Sequence, residues 1–130
     1  MPGPSIDLVD ETFVVAERGA VARRIADPEL WRTWWPRLRL TVFMNRGLDG
    51  IRWSVSGELT GSAEIWLEAW GDGVIVHWFL RAERGSGIGP AEAARLQRRY
   101  ATSFKRRIHA VKDELEKGRV AGVPRLDVER

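Results

Sequence analysis

From Pro90 to about Lys117 the chain repeats its apolar residues at steps of three and four. The series runs Ala93, Leu96, Tyr100, Phe104, Ile108, Val111 and Leu115. That spacing gathers the side chains on one stripe of a helix with 3.6 residues per turn. Pro90 stands where a helix tolerates proline, in the first turn, and Gly118 stands where one commonly stops. Arg95, Arg98, Arg99, Lys105, Arg106, Lys112 and Glu116 fall on the other face. Such a helix is roughly 40 Å long at ~1.5 Å per residue. Each large apolar side chain it buries is worth ~1.5–3 kcal/mol. The rest of the chain must therefore provide an apolar surface of comparable length for the stripe to cover.

What precedes the helix reads as that surface. Ile6 to Val15 is a strand, in which Asp10 and Glu11 require an exposed edge or a polar face. Ala16 to Ala26 takes helical spacing, with Val21 and Ile25 inward. Asp27-Pro28 then caps and starts a second short helix carrying Leu30, Trp31, Trp34 and Trp35, which Pro36 ends. From Leu38 the period changes to two. Leu38, Leu40, Val42 and Met44 alternate with polar residues as a half-buried strand. Ile51, Trp53 and Val55 mark a second such strand, and Ala63, Ile65, Leu67 and Ala69 a third. Val74 to Glu83 is a fourth, with Val76, Trp78 and Leu80 on one face and Ile75, His77 and Phe79 on the other. Asn45-Arg46-Gly47, Asp49-Gly50 and Gly71-Asp72-Gly73 are turns, and Gly57 and Gly61 flank a turn or bulge at Glu58-Leu59-Thr60. Strand, two short helices, an antiparallel meander and one long helix, with no βαβ alternation, make an α+β class.

Residues 1–130 are the length of one domain, with a core over about 5–117 and a polar extension over 118–130. With 44% hydrophobic and 30% charged residues the chain is globular rather than disordered. Without cysteine it has no disulfide, thiolate metal site or cysteine nucleophile. The start lacks the pattern of a signal peptide, and no apolar run approaches the ~20 residues of a membrane span, so the expected location is the cytoplasm. The net charge is +3, and Arg95 to Arg107 contains no acid. The cations avoid the apolar stripe, which fits a solvated helix face; a nucleic-acid or anionic-membrane surface is the competing reading, and nucleic acid is not expected. Seven tryptophans against one tyrosine mean either a bulky core or an aromatic-lined cavity.

The string Phe13-Val14-Val15-Ala16, then Val21, Ile25, Asp27-Pro28, Trp31, Trp34, Trp35 and Pro36, resembles the START-like superfamily. This is the SRPBCC group, with the helix-grip fold of the birch-pollen allergen. Its bacterial members include polyketide cyclase/dehydrase and lipid-transport-like proteins. The Gly50–Val55 and Gly61–Glu68 strands and the Asp72-Gly73 hairpin look like the meander of small actinobacterial members. The resemblance implies a curved antiparallel sheet wrapped around the long C-terminal helix, with a cavity between them. It also departs from the larger members, which have six or seven strands against about five here, and that implies a smaller or more open cavity.

On that resemblance Trp31, Trp34, Trp35 and Trp53 line or close the cavity, together with Trp66, Trp78, Tyr100 and Phe104; plain core packing is the alternative. The chemical candidates are Glu64, Glu68 and His77. The glutamates share a strand face with Trp66, and inside a cavity they could act as acid and base. If Ala63, Ile65 and Leu67 face the helix, the glutamates point away. His77 could meet Glu64 or Glu68 across neighbouring strands; otherwise it is a partly exposed histidine on a sheet face. His77 and His109 are the only histidines and make no metal cluster, so neither metal nor cofactor is expected. No nucleophile-elbow context surrounds Ser54, Ser56, Thr60 or Ser62. Gly85, Gly87 and Gly89 precede a helix with no lysine in its first turn, which does not suit a nucleotide loop; they suit a gate over the pocket mouth.

Three functions remain open. The first is binding or carriage of a small hydrophobic or aromatic ligand, lipid- or polyketide-like, by a monomer or homodimer. The second is a cyclase or dehydratase using Glu64, Glu68 or His77. The third is an interaction module acting through the basic helix face.

Overall fold

A computed structural model describes residues 6–84 and 88–117. The expected stop at Gly118, the extension over 118–130, and Gly85 and Gly87 of the expected gate lie outside the described residues. The elements are β1 (Ile6–Val14), α1 (Arg18–Ile25), α2 (Pro28–Trp34), β2 (Leu38–Asn45), a 3-10 turn (Gly47–Asp49), β3 (Gly50–Gly57), β4 (Thr60–Trp70), β5 (Gly73–Glu83) and α3 (Pro90–Leu115). The five strands form one antiparallel sheet in the order β1-β5-β4-β3-β2. The sheet curves around α3, and the two short helices follow the first strand, which is the helix-grip arrangement.

Alternation decides which side chains meet the helix. On β4, Ala63, Ile65 and Leu67 are buried; on β5, Val76, Trp78 and Leu80 are; on β3, Ile51, Trp53 and Val55 are. α3 answers with Leu96, Tyr100, Phe104, Ile108 and Val111, all buried, while Ala93 and Leu115 are half-buried at its ends. The Phe104 ring stacks on the Trp78 indole at a centroid distance of 4.2 Å and an interplanar angle of 11°. Trp35 lies parallel to both, 6.1 Å from Trp78 and 6.4 Å from Phe104. The short helices are there to deliver these indoles. The Asp27 carboxylate caps α2 by accepting from the Glu29 N–H at 3.0 Å, and Trp31 ties α2 back to α1 by donating to the Ile25 carbonyl at 2.6 Å.

Two local expectations change. The half-buried character of β2 holds for Leu38 and Leu40, but Val42 and Met44 are exposed: the register with β3 shifts between Val42 and Met44 at the sheet edge, and the strand runs off the core. His77 is buried rather than partly exposed.

α3 is also fastened along β1 by two lysines. Lys105 donates to Thr12 Oγ1 at 2.8 Å, the Glu11 carbonyl at 3.0 Å and Asp10 Oδ2 at 3.2 Å. Lys112 donates to the Phe13 carbonyl at 2.6 Å and to Glu116 at 2.8 Å. These bonds answer the polar requirement of Asp10 on the inner side of an edge strand. Phe104→Ala should cost about 3–5 kcal/mol, because it removes the ring on which Trp78 and Trp35 both rest. Urea unfolding checks this, and a loss under 1 kcal/mol would contradict the packing described.

Candidate functional site

Aromatic side chains from α2, β3, β5 and α3 meet between sheet and helix. Beyond the Trp35–Trp78–Phe104 stack, Trp34 approaches Phe104 edge-on at 5.7 Å, and Trp53 approaches Trp31 at 5.3 Å and Trp35 at 5.9 Å. The structure therefore gathers Trp31, Trp34, Trp35, Trp53, Trp78 and Phe104 into one cluster. The indole N–H groups of Trp53 and Trp78 are buried in it with no hydrogen-bond partner among the described residues.

Trp66 is not in this cluster. It lies on the opposite face of the sheet, stacked on the His77 imidazole at 4.3 Å. Glu64 and Glu68 share that outer face, because Ala63, Ile65 and Leu67 take the inner one. Glu64 is held by Arg46 at 2.9 Å and Arg52 at 3.2 Å. His77 sits between two carboxylates, Nε2 at 2.9 Å from Glu68 and Nδ1 at 3.2 Å from Glu11. His77 thus meets Glu68 but not Glu64. All three chemical candidates lie across the sheet from the aromatic cluster.

Trp34 and Trp35 of this cluster, with Tyr100, wall a groove of ≈ 680 Å³ between the end of α2 and α3 that is rimmed with arginine. Three residues of this groove, Arg37, Arg99 and Tyr100, converge on Glu58, which follows Gly57 between β3 and β4. Glu58 is a half-buried carboxylate that accepts from the Tyr100 hydroxyl at 2.6 Å, from Arg99, and from Arg37 at 3.4 Å. Gly57 places it there. At φ 106° it turns the chain so that the Glu58 N–H donates to the Arg37 carbonyl at 2.9 Å, and a Cβ at Gly57 would lie 2.7 Å from that same oxygen.

The electrostatics follow from that arrangement. Burial alone would raise the Glu58 pKa. The hydrogen bonds from Tyr100, Arg99 and Arg37 and the Arg99 charge outweigh it, and the carboxyl sits below its ordinary 4.5. Tyr100 is pushed well above its ordinary 10, first by burial and then by its bond to the Glu58 carboxylate and that group's charge. Bonding to Glu58 likewise raises the Arg99 guanidinium above its ordinary value. No signal inside residues 57–61 announces this role, because Tyr100 is 42 residues away.

Among the described residues no group of three or more His, Asp or Glu side chains could hold a metal ion, and no helix is long and apolar enough to cross a membrane.

No protein-family model and no curated protein matches the chain. Solved structures match it in fold. The Aha1 dimer from Colwellia psychrerythraea, solved in solution, aligns with a TM-score of 0.62 at 11% identity, over 88% of this chain and 99% of that one. Protein CV1439 from Chromobacterium violaceum aligns at 0.56 and 11%, over 88% and 99%. Ara h 8.0201 aligns at 0.52 and 11%, over 83% and 97%. Likeness at this identity establishes a shared fold and nothing finer.

The sole tyrosine makes the Glu58 network directly measurable. A lowered carboxylate stabilises the fold above its unfolded pKa, and that contribution is lost as pH falls through the lowered value. A raised phenol stabilises below 10, and its contribution is lost as pH climbs from 10 through the raised value. Glu58→Gln should cost about 1–3 kcal/mol at pH 7, with the deficit narrowing below pH 4.5. Tyrosinate absorbance at 295 nm should appear only well above pH 10 in the native chain and move back toward 10 in the variant. A native midpoint at 10 would show that Tyr100 does not hold Glu58.

Proposed function

We propose that the chain binds and carries a small hydrophobic ligand, lipid-like or polyketide-like, between the sheet and α3. The observation that carries this reading is the groove beside Trp34, Trp35 and Tyr100, behind which indole and phenyl rings from four elements pack together. Such rings provide large apolar contact, and the unpartnered N–H groups of Trp53 and Trp78 can orient a ligand oxygen. The groove volume falls within the ~300–1,000 Å³ of small-molecule sites. The fold shared with Ara h 8.0201 and the Aha1 protein is compatible with a sheet–helix cavity of this kind. A cyclase or dehydratase built on Glu64, Glu68 or His77 has less support: these side chains lie across the sheet from the aromatic cluster, and Glu64, which borders a depression of ≈ 440 Å³ on the outer face, is already paired with Arg46 and Arg52.

Intrinsic tryptophan fluorescence and thermal unfolding test the proposal with a panel of medium- and long-chain fatty acids and flat polycyclic compounds. At ligand concentrations about 100-fold above Kd the stabilisation is about 2.7 kcal/mol, which should raise Tm by roughly 5 °C or more. Trp35→Phe should remove most of the fluorescence change, and Trp66→Phe, on the outer face, should leave it intact. A panel that moves neither emission nor Tm would reject carriage of a hydrophobic ligand.

A further inference from the structure

The cations of α3 divide into two sets. Lys105 and Lys112 are bonded to β1, and Arg99 is bonded to Glu58. The side chains of Arg95, Arg98, Arg106 and Arg107 make no ion pair or hydrogen bond with any described residue, although all four border the groove between α2 and α3. Their spacing puts them on one side of the helix over about 18 Å at 1.5 Å per residue. The Arg107 Nε is buried and has no acceptor among the described residues. The Glu58 carboxylate cannot serve this set, because Tyr100, Arg99 and Arg37 already share it. Like charges one to three turns apart on a helix repel, and burying an unpaired donor adds to that cost. A row of arginines left unneutralised beside indoles is unfavourable by itself and becomes favourable when an anion enters.

We propose that this groove is an anion site: it takes the carboxylate or phosphate head of an amphiphilic ligand, whose apolar or aromatic body lies against Trp34 and Trp35. The inference rests on the carrier reading above and specifies the ligand class. The guanidinium fork suits both head groups, because two parallel N–H bonds match two oxygens of either. The hydroxyls of Thr102 and Ser103 lie between the two arginine pairs and add donors to a bound oxyanion. A concave site walled by buried tryptophans fits a compact ligand better than a polymer lying on a flat basic face.

Calorimetric titration of the full chain with matched compounds tests this: decanoate and decyl phosphate against decanol, with inorganic phosphate, vesicles containing phosphatidylglycerol, and a short single-stranded RNA as further arms. The charged amphiphiles should bind at least ten-fold more tightly than decanol. The advantage should shrink as salt rises and vanish in Arg98→Ala/Arg106→Ala. Both arginines are exposed and unpaired, so the double variant should keep its Tm or gain slightly. Decanol binding as tightly as decanoate would overturn the anion site while leaving hydrophobic carriage intact. Inorganic phosphate binding as tightly as decyl phosphate, with no decanol binding, would keep the anion site and reject hydrophobic carriage. Vesicle binding that decyl phosphate displaces assigns the head group to a lipid; decyl phosphate binding without vesicle binding assigns it to a free amphiphile. RNA binding tighter than every amphiphile would overturn the proposal, as would silence from all arms.

Discussion

The parallel contact between Phe104 and the Trp78 indole holds the sheet and the helix in one relation. A five-stranded sheet has one apolar face to bury, and α3 is the described helix long enough to lie along it. Phe104 meets Trp78 in the middle of that helix, and Trp35 stacks alongside from α2. Three elements far apart in sequence thereby share one set of ring planes. Apolar area drives the association, while ring geometry restricts how the helix can rotate about its axis. The same restriction turns the arginine row toward α2 and the two lysines toward β1, so the charge pattern of the surface is a consequence of how the core stacks.

Much of this architecture is written in local periodicity. The stripe from Leu96 to Val111 buries as its spacing requires, Asp27-Pro28 opens α2, and alternation on β4 sends Ala63, Ile65 and Leu67 inward. These features depend on residues within a turn or a pleat of one another. What periodicity could not convey is pairing across the fold. Glu58 sits between glycines in what reads as a polar turn, yet it is held by groups on two helix-proximal segments, Arg37 and Arg99 with Tyr100. His77 lies on the outer face, where alternation predicts exposure, and is nonetheless covered by Trp66 and flanked by Glu11 and Glu68. The uniform basic face of α3 resolves into bonded and unbonded cations only when its neighbours are in place.

The two faces of the sheet carry different chemistry. Inside are rings with scarcely any charge, closed by α3. Outside are carboxylates already matched by arginine or histidine: Glu64 with Arg46 and Arg52, Glu68 and Glu11 with His77. The Glu64 pairs with Arg46 and Arg52 are partly open to solvent and add little stability each, whereas His77 is buried between its two carboxylates. The acid–base groups therefore stand across the sheet from the aromatic cluster, and Glu64, which borders a depression of ≈ 440 Å³ on the outer face, is already matched by two arginines.

The register shift in β2 bears on how the chain behaves when crowded. β2 is an edge strand, and an intact edge offers a row of free N–H and C=O groups to any other strand that drifts past. The irregularity between Val42 and Met44 interrupts that row where the outward side chains, Val42, Phe43 and Met44, are most apolar. The residues that would most reward intermolecular sheet growth are thus the ones at which the hydrogen-bonding template is out of step. A single deletion restoring the register there would turn a blunt margin into a continuous one, and would expose the chain to cross-β assembly without altering its core.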